Sequence, residues 1–254
     1  MLNVEANGPV LNVTLNRPDV RNAFNDELIQ ALHDVFSRVD PAIRAIVVRG
    51  EGKVFCAGGD LNWMKKAANY TREQNIADAV KLADMFEAIC RCRPLVVVVA
   101  HGAAFGGGCG LVAAADVAIS TNETKFCFSE AKLGLIAATI STVVVPKIGV
   151  SHSRHLFATA EVFDANHARH IGLVHRVVDT LDDANEATDA VIRNVLACGP
   201  DAVHKSKILA QEAPLSNEVT AELLANARGS SEGKEGLTAF LEKRTATFVQ
   251  EWNS

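Results

Sequence analysis

Apolar and polar residues alternate over the first fifteen positions of the chain. An Asn7-Gly8 pair interrupts the alternation, and this pair favours a tight turn between two strands. The pattern therefore predicts a β-hairpin at the beginning of the fold. Its apolar positions are Leu2 and Val4 before the turn and Val10, Leu11, Val13 and Leu15 after it.

The apolar spacing then changes to that of a helix. Asn25 is suited to cap a helix that runs to about Val39, and Asp40-Pro41 marks its end. Residues at helical spacing give this segment one apolar face. They are Leu28, Leu32, Val35 and Phe36.

Two short apolar runs predict buried strands on either side of a second helix. Residues 43–49 have an apolar centre, and residues 95–99 are apolar on both faces, which is typical of a strand covered on both sides. The helix between them is predicted to begin at the capping-box pair Thr71 and Gln74 and to end near Cys92.

Strand and helix signals continue to alternate after these elements. Gly106–Gly108 leads from a strand into a helical segment, and Asp116–Ser120 returns as another strand. This alternation predicts an α/β fold with crossover connections. From Gly199-Pro200 onward strand signals are absent, which predicts a core over residues 1–198 and a helical region over residues 199–254.

The helical region carries an apolar face that one isolated chain would leave exposed. Large exposed apolar patches are typical of contacts between subunits, so we expect this region to pack onto another subunit. The residues concerned are Leu223, Leu224, Leu237, Phe240, Leu241 and Phe248.

Charge and composition narrow the classes of function. The 254 residues hold 25 Lys+Arg and 30 Asp+Glu, a net charge of -5 that offers no basic field for nucleic acid. No apolar run reaches the roughly 18 to 20 residues of a bilayer span. The N-terminus lacks a leader pattern, so we expect a cytoplasmic protein with no nucleic-acid or membrane partner.

The six cysteines show no paired spacing and are expected to be reduced and buried.

Several common catalytic and cofactor motifs are absent from the sequence. There is no GxSxG elbow, no P-loop, and no GxGxxG in a suitable context. The pairs His152/His155 and His167/His170 have helical spacing but lack a third ligand in register, so we interpret them as solvated helix faces. We therefore expect neither a metal site nor a cofactor.

Two glycine-rich segments, residues 54–61 and 100–110, are the strongest candidates for chemistry. Each follows a buried strand and enters a helical turn, which leaves backbone N–H groups without intrahelical acceptors. Two such turns can form an oxyanion hole, because glycine lets a ligand approach the backbone closely. Tight turns and close helix packing explain either segment alone equally well.

Together with three further segments, they resemble the enoyl-CoA hydratase/isomerase (crotonase) superfamily. The resemblance implies a spiral of ββα repeats with a helical C-terminal trimerisation region, a homotrimer or dimer of trimers, and an acyl-CoA thioester as substrate. Coenzyme A would then be part of the substrate, with no separate cofactor. The segments are residues 15–25, FCAGGDL at 55–61, HGAAFGGGCGL at 101–111, FCFSEAKLGLI at 126–136 and FLEKR at 240–244.

The resemblance also implies roles for individual residues. It places the oxyanion-hole N–H groups on Gly59 and Gly107 and the catalytic glutamate at Glu130. A carboxyl in an apolar pocket has a raised pKa, which suits a group that gives and takes a proton. By itself, an acid at this point is better explained as a helix N-terminal residue favoured by the dipole, and the two glycine segments in family order reverse that preference. The implied substrate-binding residues are Arg21, Ala23, Ala57, Gly58, Asp60, Leu61 and Lys243.

Two departures from the family pattern bear on the reaction. Gly110 stands where the hydratases of fatty-acid oxidation have a second glutamate, so a double-bond isomerase with one base is an alternative to a hydratase. Residues 135–141 lack the proline and glycines of many relatives. With the neighbouring motifs, these departures resemble the bacterial subgroup that hydrates 3-methylglutaconyl-CoA in leucine breakdown. A non-catalytic CoA- or RNA-binding relative is the alternative from another class.

Overall fold

The computed structural model describes residues 1–252, and most of its strands join one six-stranded sheet. The order across this sheet is β1-β2-β3-β4-β6-β9, and β5, β7 and β8 form a small second sheet. The strands are β1 (Leu2–Asn7), β2 (Val10–Leu15), β3 (Ala45–Gly50), β4 (Leu95–Ala100), β5 (Ala103–Phe105), β6 (Val117–Thr121), β7 (Lys125–Cys127), β8 (Phe163–Asp164) and β9 (Arg176–Val178).

Helices connect and cover these strands. The predicted α/β fold is confirmed, since β2, β3, β4, β6 and β9 pair in parallel through crossover connections. The helices are α1 (Asp26–Ser37), α2 (Leu61–Ala67), α3 (Arg72–Arg91), α4 (Gly107–Ala114), α5 (Ala138–Thr159), α6 (Ala165–His170), α7 (Leu181–Leu196), α8 (Pro200–Glu212), α9 (Asn217–Gly229) and α10 (Ser231–Glu242).

The elements with the clearest local signals form as predicted. The N-terminal hairpin pairs β1 with β2 in antiparallel register from Leu2↔Leu15 to Asn7↔Val10. Asn25 caps α1 by accepting a hydrogen bond from the Leu28 amide at 3.0 Å. The capping box at the start of α3 has both of its hydrogen bonds. These signals act between residues close in sequence, and each of these predictions is confirmed.

The main sheet is covered on both faces, which explains the apolar runs in its central strands. On one face, β2, β3, β4 and β6 pack against α7 in a cluster that includes Val47, Val97 and Ile192. On the other face, alternate residues such as Ile46 and Val96 join the larger core with α1, α3, α4 and α5. The core thereby fixes the ends of β3 and β4, from which the two glycine-rich turns begin.

Residues 199–252 contain helices and no strand, as predicted. The first of these helices is held to the core by Lys207, whose Nζ lies 2.7 Å from Asp116 and donates to the Cys92 carbonyl at 3.0 Å. The division of the chain at residue 198 stays a prediction.

The predicted apolar face of this helical region is largely exposed in the single chain. Phe240 and Leu241 are 81% and 77% exposed. Leu223, Leu224 and Leu237 are exposed as well. Phe248 differs, because its ring is half-buried over Gly236.

The prediction that all six cysteines are buried is wrong. All six are free thiols, but Cys198 is exposed and Cys90 only half-buried. Cys198 lies in the short connection between α7 and α8, at an exposed position. Cys56, Cys92, Cys109 and Cys127 are buried, and burial raises the pKa of Cys56 to about 12.

Three observations concern the helices and the possible metal ligands. Within residues 1–252, no helix combines the length and apolar character of a membrane span. His155 and His170 are exposed, whereas His152 and His167 are half-buried. In the same part of the chain, no three His, Cys, Asp or Glu side chains cluster as metal ligands would.

Candidate active site

Two glycine-rich turns, the first at residues 54–61 and the second at residues 100–110, run side by side in the same direction. Cys56 donates its N–H to the Ala103 carbonyl at 3.1 Å and accepts one from Phe105 at 2.9 Å. A parallel bridge between Cys56 and Ala104 results. The two turns therefore lie next to each other beyond the carboxyl ends of β3 and β4.

Glycine is required where the turns touch. Gly58 has a φ of +92°, and a Cβ on it would lie 3.1 Å from the Phe105 carbonyl oxygen. Gly106 has a φ of +49°, in the region that side-chain-bearing residues avoid. These positions let the first turn lie directly on the second.

Phe24 joins the two turns, although nothing in the sequence pattern singled it out as a site residue. Its backbone pairs with the first turn, donating to the Gly58 carbonyl at 2.7 Å and accepting from the Asp60 amide at 2.8 Å. Its ring packs on the second turn, where Cδ2 lies 2.5 Å from the position of a Cβ on Gly107. Gly59 and Gly107 thus contact the same residue.

The amides of Gly59 and Gly107 have no hydrogen-bond acceptor within residues 1–252. Gly107 is the first residue of α4, where an N–H has no intrahelical partner and lies at the positive end of the helix dipole. Both N–H groups are therefore available to an external acceptor.

Glu130 lies against the second turn. It begins a single 3-10 turn, Glu130–Leu133, after β7. Its Oε1 lies 3.3 Å from the position of a Cβ on Gly106, the residue before Gly107. Its Oε2 is buried and has no hydrogen-bond partner in the described chain. Burial raises the pKa of this carboxyl from its ordinary value of 4.5, which favours a group that exchanges protons.

Known proteins match this chain over nearly its whole length. Residues 5–251 match the family model for enoyl-CoA hydratase/isomerase. The chain belongs to the enoyl-CoA hydratase/isomerase family. A crotonyl-CoA hydratase from Syntrophomonas wolfei is 31% identical over 92% of this chain and 92% of its own length.

Solved structures of this family confirm the crotonase-like fold. An enoyl-CoA hydratase from Shewanella pealeana has a TM-score of 0.91 and 36% identity, covering 97% of this chain and 95% of its own. An enoyl-CoA hydratase/isomerase from Marinobacter aquaeolei has a TM-score of 0.92 and 32% identity, covering 98% of this chain and 99% of its own.

In this family member, no carboxylate stands at residue 110, and apolar side chains fill the space beside it. A Cβ on Gly110 would lie 2.6 Å from Phe86 Cζ and 2.9 Å from Ile140 Cγ2. Phe86 comes from α3 and Ile140 from α5, and both are buried. The carboxyl group that the structure places against the turn containing Gly107 is that of Glu130.

The predicted CoA-binding segments are joined to each other by backbone contacts. The Ala57 amide donates to the Arg21 carbonyl at 3.0 Å. Ala23 is buried, and its carbonyl accepts a hydrogen bond from Arg17. Leu61, at the beginning of α2, is 74% exposed beside the same turn. Their roles in substrate binding stay predictions.

Asp60 uses its carboxylate inside the protein. It accepts from the Asn62 amide at 2.8 Å, capping α2, and forms an ion pair with Arg17 at 2.8 Å. Burial by itself raises the pKa of Asp60, but these partners and the Trp63 amide outweigh it and lower the pKa. Its predicted contact with substrate stays a prediction, and the visible role of the side chain is to fix the turn that contains Gly59.

Lys243 lies apart from these residues. It ends α10 in a left-handed conformation with a φ of +55° and is exposed. Its helix packs on α8 and α9. Within residues 1–252 no hydrogen bond or ion pair links its side chain to the glycine turns, so its role also stays a prediction.

Trp63 is a neighbour of the site that sequence patterns missed. Its Cζ3 lies 3.4 Å from the position of a Cβ on Gly59. Its Nε1 donates to Asp78 of α3 at 3.3 Å. Burial raises the pKa of Asp78, while the hydrogen bond from Trp63 opposes that effect. The indole thereby connects the first glycine turn to α3.

Proposed function

We propose that this protein adds water across the carbon–carbon double bond of an α,β-unsaturated acyl-CoA thioester. The observation that carries the proposal is the position of Glu130, a carboxyl with a raised pKa and a free buried oxygen beside Gly106. The family membership and the hydratase names of the relatives support the same reaction.

In the proposed reaction, water attacks the β-carbon and the electron pair of the double bond moves toward the thioester oxygen. The N–H groups of Gly59 and Gly107 stabilise the resulting enolate oxygen, and losing one such donor typically costs about 10²–10³ in rate. Glu130 takes a proton from the attacking water and returns it to the α-carbon. The product is the 3-hydroxyacyl-CoA, and no cofactor is needed because coenzyme A belongs to the substrate.

For the acyl group, we propose a branched substrate with its own carboxylate, such as 3-methylglutaconyl-CoA. The support is the missing second glutamate at Gly110 together with the residues at 135–141. A substrate carboxylate or an ordered water would take part of that glutamate's role. Hydration rates of purified protein on crotonyl-CoA and 3-methylglutaconyl-CoA test this choice. Equal or greater kcat/KM on crotonyl-CoA would contradict the proposal of a carboxylated substrate, but it would still support hydration as the reaction.

A double-bond isomerase is the second candidate, and the filled space beside Gly110 favours it. Phe86 and Ile140 fill the space where a second glutamate would stand, and one base suffices to move a proton between carbons. Mass spectrometry of the product separates the two reactions. Hydration adds the mass of one water, whereas isomerisation leaves the mass of the acyl-CoA unchanged.

We also propose that the chain works as a trimer or a dimer of trimers. The support is the exposed apolar face of the helical region, in particular Leu237, Phe240 and Leu241. Sedimentation equilibrium of the purified protein measures the mass of the assembly. A monomer at micromolar concentration would contradict the proposal.

A further inference from the structure

The helix that begins at Gly107 is capped at its C-terminal end by a half-buried lysine from α5. Lys147 Nζ donates to the Val112 carbonyl at 3.1 Å and to the Ala115 carbonyl at 2.7 Å. These carbonyls lie at the C-terminal end of α4, where backbone oxygens lack intrahelical partners. Lys147 is therefore a side-chain cap for the same helix whose first residue supplies an N–H to the candidate site.

The charge of Lys147 is not cancelled by an ion pair. The nearest carboxylate in sequence to α4, Asp116, pairs with Lys207 at 2.7 Å and accepts from the Val96 amide at 2.7 Å. No salt bridge of Lys147 occurs within residues 1–252. The pair of Asp116 and Lys207 is neutral as a whole, so one positive charge remains at the C-terminal end of α4.

We propose that Lys147 is a positioning residue that acts through α4 on the N–H of Gly107. Its ammonium holds the last turn of the helix and neutralises the negative end of the helix dipole. The positive potential at the first residue is thereby raised where the enolate oxygen would form. This inference rests on the proposed function, because it concerns the oxygen that Gly107 is proposed to stabilise.

The size of the effect follows from the length of the helix. Its 8 residues span about 12 Å at a rise of about 1.5 Å per residue. Unit charges separated by that distance at an effective dielectric constant of about 20 interact enough to change a rate about tenfold. The full charge exists on the oxygen only as the enolate forms, so the effect falls on kcat and leaves KM nearly unchanged.

The same lysine gives the reaction a pH dependence on the alkaline side. Burial lowers the pKa of Lys147 to about 8, with Asp116 and Cys90 opposing the shift. The charged form exists below this pKa and is lost as the pH rises through it, so kcat should fall above about pH 8.

The other titratable groups of the cluster do not change charge over this range. Cys90 of α3 has its pKa raised by burial to about 11 and stays a thiol. Burial lowers the pKa of His175, which precedes β9, from 6.5, so its ring is neutral. Asp116 remains paired with Lys207 of α8. A fall in kcat above pH 8 that is lost in Lys147→Arg would therefore report Lys147.

Two variants separate the charge of Lys147 from its hydrogen bonds. Lys147→Gln keeps a donor without the charge, and Lys147→Arg keeps the charge at all accessible pH values. For Lys147→Gln we expect kcat on crotonyl-CoA at pH 7 to fall about tenfold, with KM within about twofold and without a further fall above pH 8. Lys147→Arg should retain kcat and lose the alkaline fall. Lys205→Gln, at an exposed position of α8, is the control and should match the unmodified protein.

The outcomes distinguish this inference from the proposed function. Unmodified protein that turns over no enoyl-CoA at any pH contradicts the proposed function and the inference with it. Protein that hydrates enoyl-CoA with a constant kcat from pH 7 to 9.5 overturns the inference alone, and this measurement needs no variant. Folded Lys147→Gln protein with unchanged kcat and pH profile overturns it as well.

Discussion

Phe86 occupies the space into which any side chain at Gly110 would extend. Its Cζ lies 2.6 Å from the position of a Cβ on Gly110, closer than non-bonded carbon atoms approach. A carboxylate at residue 110 is therefore excluded by packing as well as by the residue type. Glu130 lies beside the second glycine turn, and its Oε1 is 3.3 Å from the position of a Cβ on Gly106.

This contact predicts a coupled effect on stability. Gly110→Ala is expected to lower the free energy of unfolding by about 1–3 kcal/mol, because the new methyl group overpacks the core. Phe86→Leu is expected to destabilise as well, by opening a cavity. In the double variant the smaller Leu side chain leaves room for the new Ala methyl group. The loss in free energy of unfolding should therefore be smaller than the sum of the two single losses. Urea unfolding of the four proteins measures the coupling, and strict additivity would contradict the contact.

Glu130→Gln should reduce kcat on the enoyl-CoA substrate by about 10²–10⁴-fold, because the proton-transfer group is removed. Binding of the acyl-CoA should persist, since the glycine amides are unchanged. Glu5→Gln on the exposed strand β1 serves as the control and should retain full activity. Turnover that survives in Glu130→Gln would exclude this carboxyl as the acid or base.

The same variant should be more stable than the unmodified protein at neutral pH. Because burial raises the folded-state pKa of Glu130 above 4.5, the folded protein binds this proton more tightly than the unfolded chain. That contribution to stability is present below pH 4.5 and is lost as the pH rises through the raised pKa. Thermal unfolding should show a higher Tm for Glu130→Gln at pH 7 and nearly equal Tm values at pH 4.

Gly107→Ala tests the close contact between α4 and Phe24. The added Cβ would lie 2.5 Å from Phe24 Cδ2, so we expect a loss of about 1–3 kcal/mol in stability. Displacement of the turn should also lower kcat more than it changes KM. Gly229→Ala is a matched control at the end of α9, where a Cβ meets nothing within 4 Å. Equal unfolding curves for the two variants would argue against the contact.

Asp60→Ala should destabilise the fold by about 3 kcal/mol, because it removes a helix cap and leaves Arg17 without its largely buried partner. Glu212→Ala breaks an exposed pair with Arg91 and should cost less than about 1 kcal/mol. The pKa of Asp60 is lowered in the folded state, so its contribution is present above pH 3.8 and is lost as the pH falls through the lowered pKa. Urea unfolding measures the stability that Asp60→Ala loses relative to the unmodified protein, and this loss should be smaller in acid than at pH 7.

Much of the fold and the list of candidate residues could be predicted from the sequence. The hairpin at Asn7-Gly8, the Asn25 cap and the Thr71 capping box depend on hydrogen bonds between residues a few positions apart, which a local pattern reveals. The glycine segments and Glu130 were found through their order along the chain. The burial of Cys198 was predicted wrongly, because its apolar neighbours gave no sign that the connection after α7 is exposed.

The sequence by itself determined the local elements, the α/β class and the residue types available for chemistry, since these depend on short-range patterns and on motifs. Only the tertiary structure decided which of those residues meet. Contacts between segments far apart in the chain place Phe24 between the two glycine turns, Phe86 beside Gly110, and Lys147 at the C-terminal end of α4. Their formation depends on how helices pack against the sheet, which no local periodicity specifies.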